Sequence, residues 1–147
     1  GERVLEVFRS AGADIIAEDL GTIPDFVRES LDRLGVPGYR VLRWERDWHA
    51  PGHPFRDPAT YPRASLATTG THDTDMLAAW WDGAPHDERA ALLALPALAW
   101  RGLSPDEAFS DRLRDALIEL VVHAASDLVI LPLQDIFGWR DRINVPA

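Results

Sequence analysis

The chain has 147 residues, with 24 acidic against 15 basic, a formal net charge of −9 and no cysteine. That balance opposes a nucleic-acid or anionic-membrane partner, each of which calls for a basic face, and the missing thiols exclude disulfides, zinc–thiolate sites and cysteine nucleophiles. Hydrophobic residues make up 46% and charged residues 27%, a globular and not a disordered composition, and no apolar run approaches the ~20 residues that span a bilayer.

Val4, Leu5, Phe8 and Ala11 follow helical spacing, with Gly12 placed to end that helix. The start has no signal-peptide pattern and reads as interior to a longer chain, so a cytoplasmic protein is expected. Residues 14–17 are a short apolar run fit for a buried parallel strand, and 18–22 a loop. Thr22 is placed to cap a helix from Pro24, with Asp25 in its first turn, Phe26, Val27, Ser30, Leu31 and Leu34 on one face, and Gly35 at its end. Residues 39–44 read as the next strand. Between 45 and 63 the periodicity is broken by Pro51, Gly52, Pro54, Pro58 and Pro62, which predicts a long loop over the C-terminal face of the strands, the face expected to carry the active site.

Residues 65–69 form a weaker strand, 75–81 a short helix and 85–95 another, amphipathic through Ala90, Leu93 and Ala94. Ser104-Pro105-Asp106-Glu107 has the form of a capping box and predicts a helix running to about Ser126, with Ala108, Leu113, Ala116, Leu117, Leu120, Val121 and Ala124 inward. Residues 128–133 are the last strand. Six Trp residues add large amphipathic side chains, suited to a core or to the apolar face of a pyranose ring.

Three of these runs end in acids. Ile15-Ile16-Ala17 leads to Glu18-Asp19 and Gly21, residues 65–68 lead to Thr69-Gly70-Thr71-His72-Asp73-Thr74-Asp75, and 128–133 lead to Gln134-Asp135. Strands that each deliver an acid at the C-terminal end give the layout of a parallel β/α barrel with its active site on that face. Four strands are half of such a barrel, which needs eight strands and about 250 residues; an open four-stranded sheet with helices on both faces is the alternative. No glycine-rich phosphate loop and no nucleophile-elbow serine is present. His49 and His53, near Asp47 and Asp57, are the residues to consider for a metal, but loop histidines are more often simply solvated.

What remains is carboxylate chemistry. Paired acids on one barrel face cleave glycosidic bonds when one of them protonates the leaving oxygen. Glu18, beside Asp19 at the end of an apolar run, suits that acid. Asp73, with His72 as a further donor, suits a carboxylate that grips sugar hydroxyls. The structural reading is that Asp73 or Asp75 merely caps the helix at 75–81, and that Asp19 is a scaffold residue.

Ile16-Ala17-Glu18-Asp19-Leu20-Gly21, Pro37-Gly38-Tyr39-Arg40-Val41-Leu42, Thr69-Gly70-Thr71-His72-Asp73, Pro132-Leu133-Gln134-Asp135 and Arg142-Ile143-Asn144-Val145-Pro146 occur in that order. The series resembles the C-terminal half of the catalytic barrel of 4-α-glucanotransferases, glycoside hydrolase family 77. The resemblance implies an α/β fold, half of a (β/α)8 barrel, with the four strands as its fifth to eighth. It implies retaining transfer of an α-1,4-glucan segment to another glucan or to glucose, with Glu18 as general acid/base, Asp73 as transition-state stabiliser, and His72, Asp19, Trp44, Asp75, Gln134 and Asp135 as substrate-site residues. No metal or organic cofactor is implied. The partner is an α-1,4-glucan or maltooligosaccharide, and the rest of the barrel is needed for activity. The family nucleophile is an Asp in an Arg-x-Asp-His-type motif, which this sequence lacks. Thr74 and Thr68 stand where many members have Asn and Tyr. An α-glucan hydrolase and a non-catalytic glucan-binding module are the alternatives.

Overall fold

The computed structural model describes residues 1–142. Its centre is a three-stranded parallel sheet in the order β1 (Gly38–Val41), β2 (Ser65–Thr68), β3 (Leu128–Val129). Gly38 pairs with Ser65 and Val41 with Thr68, while Leu66 pairs with Leu128 and Ala67 with Val129. Order in the sheet follows burial. All four residues of β2 are buried between two neighbours, whereas both residues of the edge strand β3 are exposed.

The expected first strand at 14–17 is reduced to one parallel bridge, Ala17 to Gly38, with the Ala17 N–H donating to the Pro37 carbonyl at 2.8 Å. Three strands and a bridge therefore stand where four strands were expected. Ile16 is exposed, and helix α1 (Glu2–Ser10) buries none of its residues. An apolar run that is only partly covered gains little from extending its ladder.

Helix α2 (Asp25–Leu34) ends at Gly35 in a left-handed conformation, as its position requires. It begins after Pro24 without a side-chain cap, so Thr22 does not play the part expected of it. Helices α3 (Leu77–Gly83), α4 (His86–Leu93), α5 (Pro96–Ala99) and α6 (Asp111–Val122) enclose the core. Ala67 from the sheet and Leu42 just past β1 meet Trp81, Leu92, Leu98, Leu113, Leu117 and Val121 there. Trp81 is fully enclosed and its Nε1 donates to the Glu107 carbonyl at 3.0 Å, the arrangement a buried indole needs.

The capping box at 104–107 closes one turn and goes no further. The Ser104 N–H donates to Glu107 Oε1 at 3.2 Å and the Asp106 N–H to Ser104 Oγ at 3.2 Å. The Glu107 carbonyl is then taken by Trp81, and the chain extends until Ser110 Oγ accepts from the Leu113 N–H at 3.3 Å to start α6. Leu113, Ala116, Leu117, Leu120 and Val121 are buried as expected; Ala108 is exposed.

The stretch at 45–63 is a pinned excursion. Arg46 and Phe55 form an antiparallel bridge, and Phe55 and Tyr61 enter the core. A short 3-10 turn, Pro58–Thr60, is capped by Asp57, whose Oδ1 accepts from the Ala59 N–H at 3.0 Å. His53 stacks obliquely on Trp48. Helix α7 (Leu133–Phe137) follows β3 directly.

Candidate active site

Glu18 and Asp19 leave the Ala17 bridge in opposite senses. Glu18 is exposed. Asp19 is buried, with Oδ1 accepting from the Tyr39 N–H at 2.7 Å and Oδ2 facing Arg40 Nη1 at 3.3 Å and Arg28 Nε at 4.0 Å. A glycine is required opposite it: a Cβ on Gly38 would stand 2.5 Å from Asp19 Oδ1. Asp19 fixes the segment while Glu18 projects from it.

The turn after β2 is tied by its own hydroxyls. The Thr71 N–H donates to Thr74 Oγ1 at 2.9 Å, Thr74 Oγ1 donates back to the Thr71 carbonyl at 2.9 Å, and the Asp73 N–H donates to Thr71 Oγ1 at 3.3 Å. Thr68 Oγ1 donates to the Gly70 carbonyl at 2.7 Å. His72 and Asp73 are exposed at the apex, with His72 Nε2 3.3 Å from Asp73 Oδ2.

Neither Asp73 nor Asp75 caps α3. The cap comes from a distant part of the chain: Asp135, 1% exposed, accepts from the Leu77 N–H at 2.7 Å through Oδ1 and from Thr69 Oγ1 at 2.5 Å through Oδ2. Asp135 thereby joins the end of β2, the start of α3 and α7. Asp75 lies 3.9 Å from Arg142 Nη1, and Arg142 Nη2 donates to the His72 carbonyl at 3.3 Å.

Two adjoining clefts meet at this turn. One, about 430 Å³, brings Glu18, His72 and Gln134 together with Tyr39, Thr68 and Arg142. The other, about 350 Å³, brings Asp73, Asp75 and Trp44 together with Arg43 and Glu88. Arg142 lines both. Of the eight residues expected from sequence, six therefore line one or the other cleft. Asp19 and Asp135 line neither; they hold the backbone from beneath, and their carboxylate oxygens are engaged by the protein. The rest of the motif begun by Arg142, at 143–146, lies outside the described residues.

Sequence reasoning missed Arg43, Tyr39 and Glu88. Arg43 carried a signal: it is a cation inside an apolar β-type run. It is buried, and burial lowers its guanidinium below the ordinary range while Asp135, Asp75 and Glu88 oppose that shift. Among the described residues no group of three or more His, Asp or Glu side chains is placed to hold a metal ion, and no helix is long and apolar enough to cross a membrane.

A parallel α/β layer presenting carboxylates where its strands end is the arrangement of the β/α enzymes that keep their active sites on that face. A family model described as 4-alpha-glucanotransferase matches residues 2–147, and the chain belongs to that family. The 4-alpha-glucanotransferase of Thermus thermophilus is 33% identical over 151 aligned positions, covering 99% of this chain and 28% of that protein. The chloroplastic/amyloplastic 4-alpha-glucanotransferase of Solanum tuberosum is 32% identical over 136, covering 91% and 22%. The fold is that of an amylomaltase from Streptococcus agalactiae solved with acarbose, with a TM-score of 0.71 at 22% identity, covering 97% of this chain and 27% of that one. The amylomaltase of Corynebacterium glutamicum gives 0.68 at 26% identity, covering 92% and 23%. The chain thus spans between about a fifth and three tenths of the length of these relatives.

Proposed function

We propose that this chain supplies the acid/base and transition-state half of a cytoplasmic 4-α-glucanotransferase, residues 1–147 forming the C-terminal half of its (β/α)8 barrel. The observation that carries the reading is the meeting of Glu18, His72 and Asp73 in adjoining clefts at the sheet's C-terminal end. Family membership supplies the substrate class, an α-1,4-glucan or maltooligosaccharide. The half-barrel is supported by uncovered apolar side chains at both flanks: Val4, Val7 and Phe8 on α1, and Ile130, Leu133 and Phe137 around β3 and α7. Patches of this kind mark surfaces that pack against further protein.

In the proposed reaction an Asp from outside these residues attacks the anomeric carbon while Glu18 protonates the departing glucan oxygen. Glu18 then removes the proton from an acceptor 4-hydroxyl, whose oxygen attacks the anomeric carbon, displaces the Asp carboxylate and returns the original anomeric configuration. Asp73, with His72 beside it, holds sugar hydroxyls more tightly as the ring flattens, so its contribution falls in the transition state. Trp44, exposed at the mouth of the second cleft, offers an indole face to an acceptor ring. Asp75 and Gln134 contact substrate from the cleft walls. The excursion at 45–63 excludes water from the acceptor side, which favours transfer over hydrolysis. Glu18 is exposed in residues 1–142, so its enclosure comes from the remainder of the barrel.

The test is Glu18→Gln in the full-length protein. Disproportionation of maltotriose should fall by at least about 10²–10⁴-fold, the usual contribution of general acid/base catalysis. A glucosyl fluoride donor, whose leaving group needs little protonation, should regain much of the first step. Equal loss with both donors would remove Glu18 from the acid role. Parent activity that yields only new reducing ends would make the protein a hydrolase, and glucan binding without turnover would make it a binding module.

A further inference from the structure

Six Trp residues are present, and the reaction proposed above uses one of them, Trp44. Trp81 is core, Trp80 faces Arg43, Trp48 leans on His53 and Trp139 stacks on Phe137. Trp100 is left, and at 74% it is the most exposed large apolar side chain among the described residues. It stands at the C-terminal cap of α5, where two clefts of about 220 and 190 Å³ share Trp100, Arg101 and Ala116.

The indole is held in a fixed frame. Arg101 lies over one face, its central carbon 5.0 Å from the ring centroid. That guanidinium is itself fastened: Nε donates to the Ala97 carbonyl at 3.0 Å, and Nη2 pairs with Glu119 Oε2 at 2.8 Å, joining α5 to α6. Polar groups with capacity to spare line the larger cleft. Asp57 uses Oδ1 on the Ala59 N–H. His123 donates its Nδ1–H to the Glu119 carbonyl at 2.9 Å, which leaves Nε2 without a partner among the described residues.

This chemistry selects a ligand. An anion would meet Asp57 and Glu119, and Arg101 in the same cleft is already neutralised by Glu119. A protein partner would need about 800 Å² of surface with an apolar centre, but the indole is ringed by Asp57, Arg101, Arg112 and Glu119. A neutral ring with an apolar face and hydroxyls at its edge fits both parts, its C–H groups on the indole and its hydroxyls on the carboxylate and imidazole. Both volumes fall below the about 300–1,000 Å³ of an enclosing pocket, which suits sugar units laid along a surface.

The position is separate from the acids. Helix α5 packs against α4 and α6, and α6 against β2, so Trp100 belongs to the helical layer over the central strand. The bare apolar faces assigned above to the rest of the barrel lie on other elements, on α1 and around β3 and α7. The end of α6 leads to the start of β3, and the Ala125 N–H donates to the Pro58 carbonyl at 2.9 Å beside Asp57. That puts the cleft toward the end of the sheet opposite Glu18, His72 and Asp73.

We propose that the Trp100 cleft is a second carbohydrate site, holding a long α-1,4-glucan on the outer helical layer while the acid-bearing clefts act on another part of it. The choice of glucan rests on the functional reading above.

The experiment uses the full-length protein with Trp100→Ala and Trp100→Tyr. Migration in native gels is compared with and without soluble amylose, with hydroxyethylcellulose as control polymer, and kcat and KM are measured for maltotriose and for long-chain amylose. Trp100→Ala should keep the parent's melting point and its maltotriose kinetics, because the side chain is exposed and lines neither acid-bearing cleft. Its apparent Kd and KM for amylose should rise by about fivefold or more, as when a Trp at the centre of a contact is truncated. Trp100→Tyr, which keeps a flat ring, should recover part of that loss. Unchanged retardation of Trp100→Ala by amylose, or equal retardation of the parent by hydroxyethylcellulose, overturns the inference. A lower melting point with unaltered amylose binding also overturns it, because Trp100 is then packed under the rest of the protein. A parent without transfer activity takes down the functional reading, and the site survives that only if Trp100 still governs retardation by amylose. An active parent matched by Trp100→Ala on amylose takes down this inference alone.

Discussion

The segment at 15–21 and the turn at 69–75 both deliver carboxylates at the end of parallel pairing, yet they hold them differently. In each, one acid is buried as an anchor and another is presented to solvent. At the first, the anchor is the next residue: Asp19 holds the Tyr39 N–H and Arg40, leaving Glu18 free. At the second, the anchor lies some sixty residues away: Asp135 holds Thr69 and Leu77, leaving Asp73 free. The cations differ too. Arg40 pairs with its anchor and with the Tyr39 carbonyl at 2.5 Å, while among the described residues Arg43 Nε and Nη2 have no hydrogen-bond partner and the guanidinium lies over the Trp80 ring. A local anchor suffices for a segment held by one bridge. A turn that projects two acids from the most buried strand is gripped from several elements at once.

Within the second region the largest expected effect comes from its presented acid. Asp73→Asn in the full-length protein should lower kcat and kcat/KM together by roughly 10²–10³-fold, in the range seen when one preorganised electrostatic contact is deleted, with KM nearly unchanged. A good leaving group should not rescue it, because proton delivery is intact. The melting point should stay with that of the parent, since Asp135 and not Asp73 caps α3. A melting point lower by several degrees with normal kcat would mean that Asp73 belongs among the anchors.

That division between anchor and presented acid was only partly legible in the sequence. The acid clusters were, because apolar runs ending in carboxylates and glycine are local patterns. The strands were legible in place but not in length, since ladder extent depends on what covers each edge, and Ile16, Leu128, Val129 and Ile130 are left exposed. The roles within each cluster were not legible. Nothing in Glu18-Asp19 says which side chain turns inward; the steric demand at Gly38 decides it. Asp135 reads as a site residue because it follows a strand, but the hydrogen bonds that enclose it come from residues far off in sequence. The box at 104–107 misled for a similar reason: its local signal is sound, but Trp81 claims the carbonyl that the next helical turn would need.

A smaller effect separates the two anchors. Asp135→Asn leaves one acceptor oxygen for two donors, the Leu77 N–H and the Thr69 hydroxyl, and removes a negative charge that Arg43 faces. Unmet buried groups of this kind cost about 1–3 kcal/mol, more where charge is involved. Asp19→Asn should cost less, because Arg40 keeps the Tyr39 carbonyl and the neighbouring Glu45. Chemical denaturation of both variants gives the order. If Asp19→Asn proves the more damaging, the remote anchor is not the stronger grip.

The smallest effect tests the charge shared behind the local anchor. Glu45 is half-buried, and burial raises its carboxyl above the ordinary value, with Asp19 acting in the same sense and Arg40, Arg28 and Arg56 against it. A raised acid binds its proton more tightly in the folded state than in the unfolded one. Its favourable contribution is therefore complete below the unfolded value of about 4.5 and is lost as pH rises through the folded value. Glu45→Gln removes that loss. The variant should melt higher than the parent at neutral pH, by about 2 °C because the carboxylate keeps some solvent contact, and the two curves should converge near pH 4, where the parent side chain is also neutral. Freed from Glu45, Arg40 should keep Asp19 and the Tyr39 carbonyl, and Glu18 should stay where it is, so maltotriose kinetics should be unaltered. A variant less stable than the parent at neutral pH would show that the three arginines outweigh burial, and that Glu45 is a third anchor beneath the first region.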